Sequence, residues 1–345
     1  MSRQVRSVLT STLMATTLFA GLALAPIAPR SAIAAGTVVA LPGYQTAVFA
    51  RGTGAYFKPD SVEVVGQHVF VGYQNGGNPD GSNHKPSTVV EYTMRGVVVR
   101  TVQVPGHCDG LRLDPYTHML WATSNEDANS LLTIMDPSAG TAKTYPLGAT
   151  AHSGGYDDLA FIGGKVFISG SNPTLDSQAV NTRPALYTLR MPNGMPAVQP
   201  DVMGNARARD MTTGHMTTIN MVDPDSLTVD PAGDVVQDNQ GGSALLFVHH
   251  PGTARQSLST LPLATQVDDT VWATSSRGQL LVADASRNTI YSVTAPFTPG
   301  TVYTETPNDS SIPSIVGVLD PHTGFISPVI IGLGSPSGLA FAPGM

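Results

Sequence analysis

One pattern recurs along this 345-residue chain and limits the folds that are open to it. An Asp begins a short apolar alternation, a tight turn follows, and a second apolar run ends in another polar group about 15 residues after the Asp. The stretch CDGLRLDPYTHMLWATSNED, from Cys108 to Asp127, shows the whole plan. Apolar alternation rich in β-branched and aromatic residues predicts strands, and steps such as Asp-Pro and Gly-Gly predict turns. Each copy is therefore predicted to be a β-hairpin.

The copies share an acidic first residue and a polar last residue. The first residues are Asp60, Asp109, Asp157, Asp225 and Asp269, with Ser337 in a sixth, shorter copy. The last residues are Asn75, Asn125, Asn172, Asn239 and Asp284. Further strand pairs lie between the hairpins, so each unit holds four strands, and the first residues recur every 44 to 68 positions. Four strands at such a period are typical of a β-propeller blade.

The repeat predicts an all-β fold, a six-bladed β-propeller of four-stranded antiparallel blades, over residues 36–345 as a single domain. N-terminal and C-terminal strands are expected to close the ring, with the stretches TVVALPG and YQTAVFARG completing the sixth blade. A five-bladed ring with a partial sixth blade is the alternative. Charged residues make up only 12% of the chain, and 35 Gly and 27 Pro suit tightly turned strands better than helices.

Residues 1–35 have the features of a secretory signal peptide. Arg3 and Arg6 precede an apolar stretch that runs from about Val8 to Ala25, and a small-x-small step follows at Ala32 to Ala34. A retained membrane anchor is the alternative, but the apolar stretch is short and interrupted by Gly. The protein is therefore predicted to be secreted or periplasmic, with no transmembrane anchor after signal cleavage.

The charge balance limits the partners. Three of the 18 basic residues precede position 36 and none of the 25 acidic ones does, so the processed chain would carry 15 basic and 25 acidic residues. This excess of negative charge argues against nucleic acid or an anionic membrane as a partner and suits cation binding. The single cysteine, Cys108, excludes an internal disulfide.

The polar groups at the two ends of each hairpin are expected to lie at one mouth of the central channel. In a propeller the innermost strand of a blade begins at one face and the second strand returns to it. Carboxylates gathered there favour a hard cation such as Ca²⁺, and the alternative is that each Asp caps its own turn. The predicted metal ligands are Asp60, Asp109, Asp157, Asp225, Asp269, Asn125 and Asn172. Glu126 and Asp127 belong to the surrounding rim, and whether Asp157 or Asp158 faces the channel stays open.

The repeats resemble those of the regucalcin/gluconolactonase and NHL-repeat propellers. CDGLRLDPYTHMLWATSNED and LLVADASRNTIYSV carry the likeness, and the Asp-Gly step at Asp109 and Gly110 is frequent in the lactonase group. The resemblance implies a divalent ion in the channel, held in that group by one Glu, two Asn and one Asp. Asp109-Gly110 matches the step that begins with the Asp ligand, whereas the other repeats begin with Asp rather than Asn, which implies an altered ion site.

Two hypotheses for function follow. The first is a metal-dependent hydrolase for a lactone or similar ester, in which the ion activates water and a carboxylate such as Asp158 or Asp269 is the catalytic base. The second is a non-catalytic propeller that binds a ligand or an exported protein partner through its rim loops. A hydrolase requires a metal beside a pocket, and a binding module requires exposed apolar loops.

Three other motifs have possible chemistry. His107 and Cys108 are adjacent on a strand, so they point to opposite faces, and Cys108 is predicted to be a buried core residue. His249 and His250 lie on an apolar strand with one side chain inward and one outward. Residues 201–221, DVMGNARARDMTTGHMTTINM, form an insertion predicted to pack as a Met-rich loop over the propeller face, with Cu(I) binding as the alternative.

Overall fold

Strands make up nearly all of the regular structure. The structure is a computed structural model that describes residues 37–308 and 312–344. Within these ranges the helical element is one short 3₁₀ turn, Pro192–Gly194. No helix in the described part of the chain has the length and apolar character needed to cross a membrane. The predicted signal peptide lies outside the described residues.

The strands form six separate and mainly antiparallel sheets. This confirms the six-bladed propeller and rules out the five-bladed alternative. The first strands of the chain, β1 (Val39–Ala40) and β2 (Gln45–Arg51), join the last two blades. Blade 1 contains β3 (Pro59–Val65), β4 (His68–Tyr73), β5 (Ser87–Thr93) and β6 (Val98–Val104). Blade 2 contains β7 (Cys108–Leu113), β8 (Leu120–Ser124), β9 (Leu131–Asp136) and β10 (Thr141–Pro146). Blade 3 contains β11 (Gly155–Ile162), β12 (Lys165–Ser171), β13 (Pro184–Arg190) and β14 (Ala197–Met203).

Blade 4 carries two additional strands at its outer edge. The insertion after blade 3 forms β15 (Arg207–Asp210) and β16 (Met216–Thr218). The remaining strands are β17 (Pro224–Val229), β18 (Val235–Asn239), β19 (Ala244–His249) and β20 (Ser257–Pro262). Strand β15 pairs in parallel with β20, and β16 pairs with β15. The prediction of a loop packed over the propeller face is therefore wrong, because the insertion extends the sheet instead.

Blades 5 and 6 are interleaved along the chain. Their strands are β21 (Thr270–Trp272), β22 (Gly278–Asp284), β23 (Thr289–Thr294), β24 (Val302–Glu305), β25 (Ile315–Leu319), β26 (Ile326–Ile331) and β27 (Pro336–Pro343). Blade 5 has the order β21-β24-β25-β26-β1, and blade 6 has the order β27-β22-β23-β2. The predicted hairpin between β21 and β22 is therefore wrong, since the two strands belong to different sheets. The first and last strands of the described chain take part in closure, and the two N-terminal strands serve different blades.

Six apolar clusters hold the ring together, one between each pair of neighbouring blades. Strand β22 shows how one strand serves two of them. Leu280 and Val282 pack between blades 5 and 6, whereas Leu281 and Ala283 pack between blades 6 and 1. Alternate side chains on a strand point to opposite faces. A blade buried on both faces therefore needs a nearly continuous apolar run such as Leu-Leu-Val-Ala.

A β-bulge near the start of the innermost strands sets the positions of the site residues. In blades 1 to 4, two consecutive residues lie opposite a single residue of the second strand; in blade 3 they are Asp157 and Asp158. A bulge interrupts strict alternation and redirects side chains. Both members of such a pair can therefore face the channel, which answers the question that alternation alone left open.

Candidate functional site

A cavity of about 170 Å³ occupies the channel mouth where the innermost strands begin. All six blades contribute to its lining, and the lining is almost entirely polar. It includes eight carboxylates: Asp60, Asp109, Glu126, Asp157, Asp158, Asp225, Asp268 and Asp269. One cationic side chain, Arg112, is among the lining residues. The cavity therefore combines an excess of negative charge with limited access to water.

Arg112 joins two carboxylates from separate blades on the inner side of this cavity. Its Nη2 donates to Asp158 Oδ2 and to the carbonyl oxygen of Leu227 at 3.0 Å, and it lies 3.6 Å from Asp269 Oδ1. The Arg112 side chain is 17% exposed, and the side chains of Asp158 and Asp269 are 3% and 7% exposed. Burial opposes the charged form, but Asp158 and Asp269 outweigh it and raise the pKa of Arg112 above its ordinary value.

The two catalytic candidates, Asp158 and Asp269, have equivalent positions. Asp158 Oδ2 accepts the N–H of Leu227 on the next blade at 3.0 Å, and Asp269 Oδ2 accepts the N–H of Leu339 on the next blade at 2.9 Å. Asp269 is thus the counterpart of Asp158. The fifth repeat is shifted by one residue from the predicted alignment, and Asp268 is the counterpart of Asp157.

Three carboxylates of three blades converge nearer the mouth. Ligand oxygens of Glu126, Asp157 and Asp225 all lie within 4.8 Å of one another. A second group, His107, Asp109 and Glu126, meets the same limit and shares Glu126. Either group presents atoms close enough to contact one ion. The structure thus brings five of the predicted ligands, Asp60, Asp109, Asp157, Asp225 and Asp269, to one cavity.

Burial and mutual repulsion disfavour the ionised form of this cluster. Burial, reinforced by Asp109 and Asp225, raises the pKa of Glu126 well above its ordinary value. Burial likewise raises the pKa of Asp157 and of Asp225, whose carboxyl groups hydrogen-bond to each other. Burial lowers the pKa of His107, but Asp109, 3.0 Å away, outweighs it and raises that pKa to about 9. Without a cation, the cluster is expected to retain protons.

Several buried carboxylate oxygens have no hydrogen-bond partner. Asp109 Oδ2 is one of them, on a side chain that is 9% exposed and lines the cavity. Both carboxylate oxygens of Glu305, which is fully buried, are others. The pKa of Glu305 is raised by burial and by the nearby Asp268, Asp269 and Asp60. Unpartnered buried polar atoms are uncommon and call for a ligand or a proton.

The two predicted amide ligands lie outside this cavity lining. Asn125 Oδ1 accepts the N–H of His107 at 2.9 Å, and its amide donates to the carbonyl oxygen of Asn129 at 3.1 Å. Asn172 is exposed and hydrogen-bonds to Asp127. Both asparagines have positive φ, 65° and 47°. Asn tolerates this conformation better than most residues, which accounts for its recurrence where the second strands end.

Sequence reasoning missed Arg112 and Asp268 as lining residues and Glu305 as a buried acidic neighbour of the site. The signal for Arg112 was present, because a cation inside the apolar alternation of an innermost strand needs buried anions. Glu305 belongs to a strand whose place in blade 5 depends on distant pairing, so no local pattern identified it. The predicted buried role of Cys108 is confirmed, since it is fully buried between blades 1 and 2.

Gly110 allows the second and third blades to approach each other beside the cavity. A Cβ at this position would overlap Thr123 Oγ1 and lie 2.7 Å from the carbonyl oxygen of Asp157. Thr123 Oγ1 donates a hydrogen bond to that same carbonyl oxygen. The Asp-Gly step therefore has a steric reason here, namely the close contact of β7 with the bulge of β11.

Several solved structures resemble this chain in fold. No protein-family model and no curated protein sequence matches the chain. The periplasmic gluconolactonase PpgL of Pseudomonas aeruginosa is 14% identical over 82% of this chain and 88% of that chain, with a TM-score of 0.49. A putative gluconolactonase is 12% identical over 88% and 90%, with a TM-score of 0.48. A streptogramin B lyase is 11% identical over 87% and 95%, with a TM-score of 0.49. The structural neighbours thus include gluconolactonases and a lyase, and the likeness extends to the fold alone.

Proposed function

We propose that this chain is an exported β-propeller that binds a divalent cation in its acidic channel mouth and uses it to hydrolyse a lactone or similar small ester. One observation carries the proposal. Glu126, Asp157 and Asp225, from three different blades, have ligand oxygens within 4.8 Å of one another in a cavity that also contains the unpartnered Asp109 Oδ2. No local turn requires carboxylates of three blades to converge.

The donor atoms fit a hard cation, and Ca²⁺ is the ion we propose. Carboxylate oxygens suit Ca²⁺, Mg²⁺ and Mn²⁺, whereas soft metals prefer sulfur. Calcium accepts six to eight oxygens in flexible geometry, which suits ligands held on separate blades. Glu126, Asp157 and Asp225 would hold the ion. Asp109 lies close to Glu126, and its Oδ2 has no hydrogen-bond partner, so it could contribute a further ligand atom. Calcium sites of extracellular modules have dissociation constants of about 0.1–1 mM, a range that suits an exported protein.

The residues of the site support hydrolysis in distinct roles. A bound cation supplies polarisation of an ester carbonyl and acidification of water. Asp269 is the candidate base, because its Oδ1 is 3.6 Å from Arg112 Nη2, beyond ordinary hydrogen-bond length. Asp158 accepts hydrogen bonds from Arg112 and two backbone N–H groups, so it orients the guanidinium. Asp158 is therefore the less favoured candidate for the catalytic base.

The cavity size limits the substrate. A volume of about 170 Å³ is below the roughly 300–1,000 Å³ of typical small-molecule pockets. The mouth therefore has room for an ion, a few waters and the reacting ester group. The remainder of a larger substrate would lie over the rim loops. A compact lactone ring is the substrate class that fits this space best.

A hydrolysis assay on processed protein tests the proposal. Hydrolysis of γ- and δ-lactones is measured with Ca²⁺, with excess chelator, and after Ca²⁺ is restored. We expect chelation to remove activity reversibly and Glu126→Gln to lower kcat/KM by at least about 100-fold, as expected when a group needed for electrostatic catalysis is lost. Asp127→Asn removes a neighbouring negative charge outside the cavity lining and serves as the matched control.

Two results would refute parts of the proposal separately. Lactone hydrolysis that persists in chelator and in Glu126→Gln would exclude the channel mouth as the active site. Calcium binding without hydrolysis of any lactone or ester would leave a cation-binding propeller and favour the scaffold hypothesis. In that case the rim loops are the place to seek a protein partner.

A further inference from the structure

Three polar side chains form a hydrogen-bonded row on blade 4, away from the channel mouth. His249 Nδ1 is 2.6 Å from Asp234 Oδ2, and His249 Nε2 is 2.9 Å from Ser259 Oγ. Asp234 directly precedes β18, whose other end, Asn239, pairs with Pro224 near the cavity. The row therefore lies toward the opposite end of the blade. None of the three residues lines the acidic cavity.

The donors and acceptors in this row follow from chemistry. A carboxylate only accepts hydrogen bonds, so Nδ1 of His249 carries a hydrogen and donates it to Asp234. In the neutral imidazole, Nε2 is then an acceptor, and the hydroxyl of Ser259 donates to it. An oriented His that accepts from a serine hydroxyl is the arrangement that activates a serine nucleophile. The Asp234 side chain is 13% exposed and that of His249 is 31% exposed, so the row is partly shielded but reachable.

Strand register puts the three side chains on one face of the sheet. Val235 pairs with Val248, and Phe247 pairs with Ser259, so Ser259 lies diagonally across from His249. Residues two apart on a strand share a face. The parallel strand β15 places Arg209 directly beside Ser259. The Arg209 side chain is exposed and makes no hydrogen bond or ion pair with another described residue.

The insertion strands supply positive charge on the face of the sheet that carries Ser259. Arg209 pairs with Ser259, and Arg207, two residues earlier on the same strand, shares its face. Both arginines are exposed. Two exposed cationic side chains favour a ligand that carries negative charge. The insertion that extends blade 4 thus brings positive charge to the serine.

We propose that Ser259 is the nucleophile of a second, metal-independent hydrolytic site, which takes esters whose acyl group carries a carboxylate or other anion. Ser259 Oγ attacks the acyl carbon while its proton passes to His249 Nε2. The bond from the acyl carbon to the alkoxy oxygen breaks, and His249 gives its proton to the departing alcohol. Water then attacks the acyl-serine with His249 again as base, which releases the acid and restores Ser259.

The other residues have supporting roles in this scheme. Asp234 fixes the ring of His249 and stabilises the imidazolium that forms. Arg209 provides positive charge beside the oxygen on which negative charge develops. Arg207 binds the anionic part of the acyl group. No residue is shared with the channel mouth, so this site does not depend on the proposed cation.

Covalent labelling with a fluorophosphonate probe tests the proposal on the whole processed protein. We expect the probe to label Ser259, as mapped by mass spectrometry, and to be excluded by Ser259→Ala. Asp234→Asn keeps the shape of the side chain and should slow labelling by at least about 100-fold, since it favours the wrong imidazole tautomer. Ser257→Ala is the matched control, because Ser257 is exposed on the same strand and pairs with His249. Its labelling rate should stay within twofold of wild type.

Substrate preference gives a second readout. 4-Nitrophenyl hydrogen succinate should be hydrolysed at least about 10-fold more efficiently than 4-nitrophenyl acetate, and Arg207→Gln should remove this preference mainly through KM. Chelator and Glu126→Gln should change neither labelling nor succinate hydrolysis, so failure of the channel site would not affect this result. The proposal is overturned if folded wild type is labelled at Ser259 no faster than at Ser257, or if Asp234→Asn labels at the wild-type rate. The row would then be a structural hydrogen-bond network.

Discussion

Arg112→Met is expected to lower the free energy of unfolding by about 3–5 kcal/mol, the range measured when one partner of a buried ion pair is removed. The substitution keeps much of the side-chain volume but leaves Asp158 and Asp269 without their cation. Both carboxylates are less than a tenth exposed. The loss is measured by urea denaturation of the metal-free protein at neutral pH.

A double-mutant cycle separates charge from packing in this result. Asp158→Asn in the Arg112→Met background should recover part of the lost stability, because it removes one of the two carboxylates that are left without a cation. Arg183→Met is the control, since Arg183 is exposed and its guanidinium donates to a backbone carbonyl oxygen, that of Ala151, at 3.3 Å. It should cost about 0.5 kcal/mol or less, as surface substitutions usually do. A loss below about 1 kcal/mol for Arg112→Met would show that the channel does not depend on this cation.

Acidification from pH 7 to pH 5 is expected to stabilise the metal-free protein, by on the order of 2–5 kcal/mol. Burial raises the pKa of Glu63 to about 7 and that of Asp158 to about 6, from ordinary values of 4.5 and 3.8. A carboxyl with a raised pKa binds its proton more tightly in the folded state. Its contribution is therefore fully present below the ordinary pKa and is lost as pH rises through the raised one.

The histidines modify this pH dependence in opposite ways. The raised pKa of His107 acts in the same direction, since its contribution is complete below pH 6.5 and disappears as pH rises through about 9. Burial lowers the pKa of His152, which therefore costs stability as pH falls below 6.5. The carboxyl groups outnumber His152, so the net effect is stabilisation. Urea denaturation midpoints in excess chelator at pH 7, 6 and 5 measure this stabilisation. Glu63→Gln should make the stability depend less steeply on pH.

Saturating Ca²⁺ should reverse the pH dependence of the free energy of unfolding. Cation binding requires deprotonated carboxylates, so the loaded protein should lose stability as protons compete for the ligands. A metal-free protein that loses stability steadily from pH 7 to pH 5 would show that the mouth is not a cluster of proton-binding carboxyls.

The fold was predictable because its signal is local. Five of the six repeats carry an acid at or near the start of the innermost strand, as at Asp60, Asp109 and Asp157, and the sixth carries Ser337. This recurrence allowed six blades to be counted from the sequence. The interleaving of blades 5 and 6 could not be foreseen. The segment from Thr270 to Asp284 reads as a hairpin, and only its packing against distant strands assigns its two halves to separate sheets.

The candidate site was predictable in outline but not in its details. The convergence of Asp157 and Asp225 follows from blade geometry. The joint exposure of Asp157 and Asp158 to the channel depends on a bulge, which a strict alternation rule does not anticipate. Asn125 has a structural explanation that the sequence pattern did not reveal, namely its positive φ and its hydrogen bond to His107.

Calorimetric titration of Ca²⁺ into chelator-treated, processed protein tests the central claim most directly. We expect saturable binding to wild type, with a dissociation constant of about 0.1–1 mM, as in extracellular calcium sites. Glu126→Gln should weaken it by at least about 10-fold, or 1.4 kcal/mol. Asp127→Asn should stay within about threefold of wild type, since Asp127 lies outside the cavity lining. Absence of binding heat together with an unchanged melting temperature in wild type, or equal affinity in Glu126→Gln, would contradict a cation site in the channel mouth.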